Sequence, residues 1–123
     1  MDHRTIATLS LKLAPFAPLG KTRLQTLCHL ILAMVSARTV NLTHLACERG
    51  GAVQIASTYR RLQRFLQHVC LPQDWAAGLV ALMIGVDGGW TLCLDRTSWA
   101  IGKTEVNLLV LALVTRCHRV TLM

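Results

Sequence analysis

Residues 90–115 read WTLCLDRTSWAIGKTEVNLLVLALVT, and this stretch decides the fold class because the spacing of apolar residues changes within it. Before it, apolar residues recur at helical spacing. Within it, residues 90–95 and 105–115 form apolar runs that are typical of β-strands. A third short run, 119–123, completes three predicted strands. We therefore predict an α+β fold in which helices come first and strands follow.

The longest of these runs has an alternative interpretation. Residues 107–114 show no polar alternation, so a buried helix would fit the pattern as well, and periodicity alone does not decide. As a strand, the run would need cover on both faces, which a 123-residue chain ending at Met123 can hardly provide. We therefore expect an incomplete sheet and a chain that is the N-terminal part of a longer protein.

The composition combines a high apolar content with a positive charge. Of the 123 residues, 53% are hydrophobic and 15% are charged, with 13 Lys and Arg against six Asp and Glu. Such a chain can bury a core, which excludes intrinsic disorder. The excess of +7 predicts an anionic partner, with nucleic acid ahead of a membrane surface. Most of this excess lies in residues 1–80, which carry nine basic and three acidic groups.

No part of the sequence predicts a membrane span or a secreted protein. The longest uncharged stretches are shorter than the roughly 18–20 residues that a spanning helix needs. Five cysteines are scattered without a CxxC motif, so neither a disulfide framework nor a zinc site is indicated. We therefore expect a cytoplasmic protein without a membrane partner, and a membrane-associated basic protein is the weaker alternative.

Four helices are predicted within residues 21–86, after a loosely ordered leader, 1–20. The first begins at Lys21, the second is short and capped by Asn41, the third spans 55–69, and the fourth begins at Pro72. Glycines at 50–51 and 88–89 are expected to end the second and fourth helices. The apolar residues expected to face the core are Leu24, Leu27, Cys28, Ile31, Met34, Val35, Leu42, Leu45, Ala46, Tyr59, Leu62, Phe65, Leu66, Val69, Trp75, Leu79, Leu82 and Met83.

The third predicted helix carries the candidate DNA-binding residues. On the side away from its apolar stripe, basic and polar residues follow helical spacing: Ser57, Arg60, Arg61, Arg64 and His68. Arginine suits this role because its planar fork matches phosphate oxygens and the edge of guanine. Together with the short helix before it, this helix predicts a helix-turn-helix-like arrangement. The alternative is an ordinary solvated helix face.

Asp95 is the candidate catalytic and metal-binding residue. It ends the predicted strand 90–95, where an ionised carboxylate is poorly hydrated and needs a cation or strong hydrogen-bond donors. Carboxylates hold Mg²⁺ in two-metal nucleic-acid enzymes, which supports a metal site. The alternative is that Asp95 caps the turn after the strand, which is a common role for Asp.

Two segments resemble bacterial insertion-sequence transposases of the DDE class, type-four group. Residues 93–114, CLDRTSWAIGKTEVNLLVLALV, resemble the segment around the first catalytic Asp of that family. Residues 57–66, STYRRLQRFL, resemble its N-terminal DNA-binding part. The positions that match around the catalytic Asp are Leu94, Asp95, Arg96, Thr97, Trp99, Gly102, Lys103 and Asn107.

The resemblance implies a helical DNA-binding domain, 21–86, and the first three strands of an incomplete ribonuclease H-like catalytic domain, 87–123. In the family, three carboxylates hold Mg²⁺ or Mn²⁺ for DNA strand cleavage and joining. Asp95 corresponds to the first, and the second Asp and the Glu have no counterpart in this sequence. The resemblance thus implies a bacterial, nucleoid-associated transposase fragment that binds transposon ends. We expect it neither to bind the metal tightly nor to transfer strands alone.

A second function from a different class also fits the sequence. The chain would then be a small basic helix-turn-helix DNA-binding regulator or a dominant-negative interaction module. In that case the strands would serve self-association rather than catalysis. A stable, defined dimer in solution would favour the module, whereas a monomer or an aggregate would favour a part of a transposase.

Overall fold

The computed structural model describes residues 3–49, 55–85, 89–114 and 119–122. Within them, five α-helices precede three β-strands, which confirms the α+β class. The elements are α1 (His3–Leu13), α2 (Lys21–Ala37), α3 (Leu42–Cys47), α4 (Ile55–His68), α5 (Ala77–Ile84), β1 (Thr91–Ile101), β2 (Thr104–Val114) and β3 (Arg119–Thr121). In the described ranges, no helix combines the length and the apolar character needed to cross a membrane.

Contacts divide the chain into two compact units. Unit 1 is Met1–Leu71 and contains α1 to α4, and unit 2 is Pro72–Met123 and contains α5 and the strands. The whole charge excess lies in unit 1, where nine basic and two acidic residues give +7, while unit 2 has four of each. The predicted boundary between a DNA-binding and a catalytic domain, after residue 86, stays a prediction.

Unit 1 begins with a helix rather than a loosely ordered leader. Helix α1 packs against α2, and the Ser10 hydroxyl contacts the Cys28 sulfur at 3.3 Å. The backbone N–H of Ala17 donates to the Leu13 carbonyl at 3.0 Å, and both residues are buried. The expectation of a loosely ordered leader is therefore wrong for residues 3–20. The prolines that suggested it follow the helix and do not interrupt it.

Helices α2 and α3 follow the predicted pattern closely. Helix α2 ends before Arg38, whose φ of 50° places it in the left-handed region typical of helix C-termini. The Asn41 side chain accepts a hydrogen bond from the Thr43 backbone N–H at 3.0 Å, which confirms the predicted N-cap. The glycines at 50–51, predicted to end α3, lie outside the described residues, as does Gly88.

The predicted apolar stripes lie on the sides of the helices that face the core, but they include residues at their margins that are exposed. Their central residues are buried, whereas Val35 in α2 and Leu66 in α4 are exposed. In α5, Leu82 and Met83 are exposed, and none of the helix's side chains is fully buried in the described structure. A helical period identifies the apolar side of a helix, but neighbouring elements decide how much of that side is covered. The buried core of unit 1 consists of Leu13, Ala17, Leu24, Leu27, Cys28, Leu30, Ala33, Leu45, Ala46, Leu62 and Phe65.

Unit 2 contains an antiparallel sheet with the strand order β1-β2-β3. Strands β1 and β2 form a hairpin that pairs Thr91 with Val114 at one end and Ile101 with Thr104 at the other. Gly102 opens the two-residue turn with a φ of 63°, a conformation that glycine adopts without strain. The helical alternative for residues 107–114 is therefore wrong.

The pairing register gives the hairpin two faces, because directly paired residues point to the same side of a sheet. Face A carries Thr91, Cys93, Asp95, Thr97, Trp99, Ile101, Thr104, Val106, Leu108, Val110, Ala112 and Val114. Face B carries Leu92, Leu94, Arg96, Ser98, Ala100, Glu105, Asn107, Leu109, Leu111 and Leu113. Among these, Ala112 and Leu113 are buried where β3 pairs with β2, and Leu122 beside them is buried too. The core of unit 2 therefore lies at the β3 end of the hairpin.

Candidate nucleic-acid interface

The predicted DNA-binding residues all lie on α4, but the structure divides them into two groups. Ser57, Arg60, Arg64 and His68 are exposed, whereas Arg61 is only partly accessible. Helix α4 packs against α2 and α3 through its other side, which carries the buried Leu62 and Phe65. Arg60 and its exposed neighbours are thus available to a ligand, while Arg61 contributes to the packing of unit 1.

Two hydrogen bonds hold Arg61 against α2. Its Nε donates to Thr26 Oγ1 at 2.8 Å, and its Nη2 donates to the Thr22 carbonyl oxygen at 3.2 Å. Burial, followed by the positive charge of Arg49, lowers the pKa of Arg61, although a guanidinium stays charged at neutral pH. Arg61 therefore places a fixed positive charge between two helices. Its role as a DNA contact stays a prediction.

A groove between the first turns of α2 and the C-terminal half of α4 collects basic side chains from both helices. Its volume is about 330 Å³. Thr26 and Phe65 are buried at its floor, and Arg23, Arg64 and His68 are exposed at its rim. The residues that line it are Thr22, Arg23, Thr26, Arg61, Arg64, Phe65, His68 and Val69. None of these lining residues is acidic, so the groove carries an unbalanced positive charge.

Arg23 is a residue of this groove that the sequence pattern did not identify. The apolar stripe that predicts helix α2 does not include Arg23. The available signal is the first turn of α2, which carries Lys21 and Arg23 and no acidic residue. Cations at the positive end of a helix dipole are unfavourable. A basic first turn is therefore a reason to look for an anionic partner nearby.

A row of polar residues on α2 runs from the groove into the interior of unit 1. Thr22, Thr26 and His29 share one face of α2 because they are spaced by about one turn each. His29 is buried, and its Nε2 has no hydrogen-bond partner among the described residues. The same holds for the buried Thr58 Oγ1 on α4. Burial, followed by the charges of Arg49 and Arg61, lowers the pKa of His29, which is neutral at pH 7.

His29 is expected to make the stability of the protein depend on pH. Its pKa in the folded protein lies below the unfolded value of about 6.5, so the unfolded chain takes up the proton first as pH falls. The free energy of unfolding should therefore decrease below about pH 6.5. In His29→Leu the decrease between about pH 8 and about pH 5 should be smaller than in the wild type. Denaturant unfolding at both pH values measures this, and equal decreases would contradict it.

Asp95 lies within β1 and not at its end. It is paired with Val110 and lies on face A between Cys93 and Thr97. The expectation that the chain leaves the sheet at Asp95 is wrong, and so is the alternative that Asp95 caps a following turn. Strand β1 continues to Ile101 instead of ending at Asp95. This is because β2 pairs with the polar residues after Asp95 as fully as with the apolar residues before it.

The described residues around Asp95 do not make up a metal site by themselves. No cluster of three or more His, Cys, Asp or Glu side chains occurs in the described part of the chain. Glu105 lies on face B and Asp95 on face A, so the hairpin separates the two carboxylates. Mg²⁺ and Mn²⁺ need several oxygen ligands. Asp95 therefore supplies one carboxylate, and the other oxygen ligands of such a site would come from further residues, water or a bound phosphate.

Three polar residues of the transposase-like segment form a cluster on face B. Arg96 Nη2 and Ser98 Oγ both donate to Asn107 Oδ1, at 3.0 and 2.8 Å. Ser98 and Asn107 are directly paired across β1 and β2, and Arg96 lies one position along the same face. Cross-strand pairs of this kind stabilise a hairpin. The structure thus shows a local role for two of the matched positions, Arg96 and Asn107.

The chain was compared with known proteins at the level of family, sequence and structure. No protein-family model, no curated protein and no solved structure matches it. The resemblance to transposases therefore rests on the residues quoted from the sequence.

Proposed function

We propose that this chain binds duplex DNA through unit 1. The observation that carries the proposal is the charge distribution, because unit 1 has a net charge of +7 and unit 2 is neutral. Arg60, Arg64 and His68 are exposed along one helix. Contacts between cationic side chains and phosphates supply most of the sequence-independent affinity for DNA. Helix α3 packs against α4, which supports a helix-turn-helix-like motif with α4 as the recognition helix.

We further propose that the chain corresponds to the N-terminal portion of a type-four DDE transposase. The resemblance of residues 57–66 and 93–114 supports this, together with the order of a basic helical unit and an antiparallel sheet. The sheet would begin a ribonuclease H-like domain, with Asp95 as its first metal-binding carboxylate and Mg²⁺ or Mn²⁺ as the metal. The DNA would be transposon ends, bound in the bacterial cytoplasm at the nucleoid. The chain alone is expected to transfer no strand.

Replacing Arg60 and Arg64 with Gln tests DNA binding by α4. Arg61 is left intact because it holds α2, so its loss would mix binding with stability. Each phosphate contact contributes about 0.9 to the slope of log affinity against log salt. The double variant should therefore lose about two units of slope and about tenfold or more in affinity for a duplex. Fluorescence anisotropy with a labelled duplex at several salt concentrations measures both quantities.

A double variant that removes the same charge elsewhere serves as the control. Lys12 in α1 and Lys103 in the hairpin turn are both exposed and lie outside the proposed surface. Lys12→Gln with Lys103→Gln should keep nearly the wild-type slope. Equal losses of affinity and of salt slope in the two double variants would show that net charge alone explains the effect. Unchanged binding in Arg60→Gln with Arg64→Gln would exclude α4 as the DNA-binding element.

A regulator or interaction module that self-associates through its strands is the second candidate. Face B of the hairpin exposes the apolar residues Leu92, Leu94 and Leu109, and neighbouring exposed apolar residues mark interaction sites. In the described structure, β1 pairs on one side only, with β2, and such an edge can accept another strand. Size-exclusion chromatography separates the candidates, because a defined dimer would favour the module.

A further inference from the structure

We propose that the groove between α2 and α4 binds a phosphate group of the nucleic-acid backbone, with Arg23 and Arg64 as its contacts. Arg61 supplies the fixed charge in the wall of the groove. The inference rests on the proposed binding of DNA by unit 1. It extends the binding surface from α4 alone to a site that two helices build together, and it assigns a role to Arg23.

Arg61 is a partly buried cation in the wall of the groove. Two of the five N–H donors of its guanidinium are used by Thr26 Oγ1 and the Thr22 carbonyl oxygen. Both acceptors are neutral, and none of the residues lining the groove is acidic. A partly buried charge without a counter-charge is unfavourable. An anion in the groove would supply that counter-charge without displacing either hydrogen bond.

The groove has a buried floor and an exposed, charged rim. The buried floor keeps water away from one side of a bound anion and so strengthens its attraction to the guanidinium groups. At the rim, Arg23 and Arg64 are exposed and come from different helices. Planar guanidinium forks match phosphate oxygens in pairs. The charge and shape of the rim therefore suit a phosphate.

The groove is small, and its rim joins the exposed face of α4. A volume of about 330 Å³ lies at the lower end of the range for ligand pockets, about 300–1,000 Å³. The cationic rim is continuous with the exposed face of α4, because Arg64 and His68 belong to both. A phosphate that belongs to a longer backbone would reach the groove while neighbouring phosphates contact α4. Free inorganic phosphate has the same chemistry, so the experiment must separate the two sources.

The test uses Arg23→Gln in the full chain, with Lys21→Gln as the matched control. Both residues are exposed in the first turn of α2, but only Arg23 lines the groove. Arg23→Gln should weaken duplex binding about tenfold and lower the salt slope by about one. Lys21→Gln should change both quantities much less. Unchanged thermal unfolding of both variants would show that the fold is intact.

Equal losses in Arg23→Gln and Lys21→Gln would overturn the proposal, because long-range charge would then explain both. Arg60 lies on α4 outside the groove. The variant Arg60→Gln therefore separates DNA binding by α4 from phosphate binding in the groove. If Arg60→Gln weakens binding and Arg23→Gln does not, the groove proposal fails and DNA binding stands. If neither variant weakens binding, DNA binding by this surface fails as well.

Inorganic phosphate is the probe for the other source of the same chemistry. The melting temperature of the wild type and of Arg23→Gln is measured with increasing phosphate, with chloride at equal ionic strength as the reference. A phosphate-specific rise that Arg23→Gln abolishes, combined with unchanged duplex binding in that variant, would assign the groove to free phosphate and overturn the proposal. A loss of duplex binding that is larger in Arg23→Gln than in Lys21→Gln supports the proposal with or without such a rise.

Discussion

Leu62→Ala is expected to lower the free energy of unfolding of unit 1 by about 2–5 kcal/mol. Leu62 is 0% exposed and lies on α4, which packs against both α2 and α3. Truncation removes the apolar contacts of the side chain and leaves a cavity that the surrounding helices fill only in part. Denaturant unfolding followed by far-ultraviolet circular dichroism measures the loss, because most of the described helix belongs to unit 1.

Leu66→Ala is the matched control on the same helix. Leu66 lies one turn further along α4, and it is 54% exposed. Its loss should cost less than about 1 kcal/mol, since a half-exposed side chain gains little from burial and alanine favours a helix. Comparable losses for the two variants would show that α4 packs through a wider face than the structure has.

The comparison of Leu62 with Leu66 also shows what the helical period can predict. Both residues belong to the same apolar stripe, and the stripe correctly gives the side on which α4 packs. Whether a residue at the margin of the stripe is buried depends on how far α2 and α3 extend over it. That depends on residues distant in sequence, so Leu66, like Val35 in α2, was wrongly expected in the core.

The N-terminal helix and the length of β1 were missed for different physical reasons. The prolines near residue 18 and the absence of a long apolar run obscured α1, which is held by its packing against α2. In β1, the apolar run that predicts the strand ends at Asp95. Beyond it, Thr97, Trp99 and Ile101 occupy alternate positions, and all three are residue types that favour strands. This period of two is the local signal for the longer strand, which β2 pairs as far as Ile101.

The candidate DNA-binding surface was predictable in outline but not in its division of roles. Arg60 and Arg61 are adjacent in sequence, and both lie on the polar side of α4. The structure separates them because Thr26, which accepts a hydrogen bond from Arg61, is 35 positions earlier in the chain. Arg23 reaches the same groove from α2. A contact between two helices of this kind has no local sequence signal.

Leu113→Ala is expected to lower the free energy of unfolding of unit 2 by about 2–5 kcal/mol. Leu113 is 0% exposed and is paired with Leu92 in β1 and Val120 in β3. It is thus the central apolar residue of the row that joins all three strands. Tryptophan fluorescence reports the unfolding selectively, because Trp75, Trp90 and Trp99 all lie in unit 2.

Leu109→Ala is the control on the same strand and face as Leu113. It separates the effect of side-chain burial from that of strand pairing. Leu109 is 66% exposed and is paired with Arg96 in β1 alone, so its truncation should cost less than about 1 kcal/mol. If both variants lose the same amount, backbone pairing along β2 and not the packing at β3 stabilises the hairpin. A large loss for Leu113→Ala alone would mean that the apolar end of the hairpin holds the paired strands that carry Asp95. Packing at β3 would then be needed for any chemistry to which that carboxylate contributes.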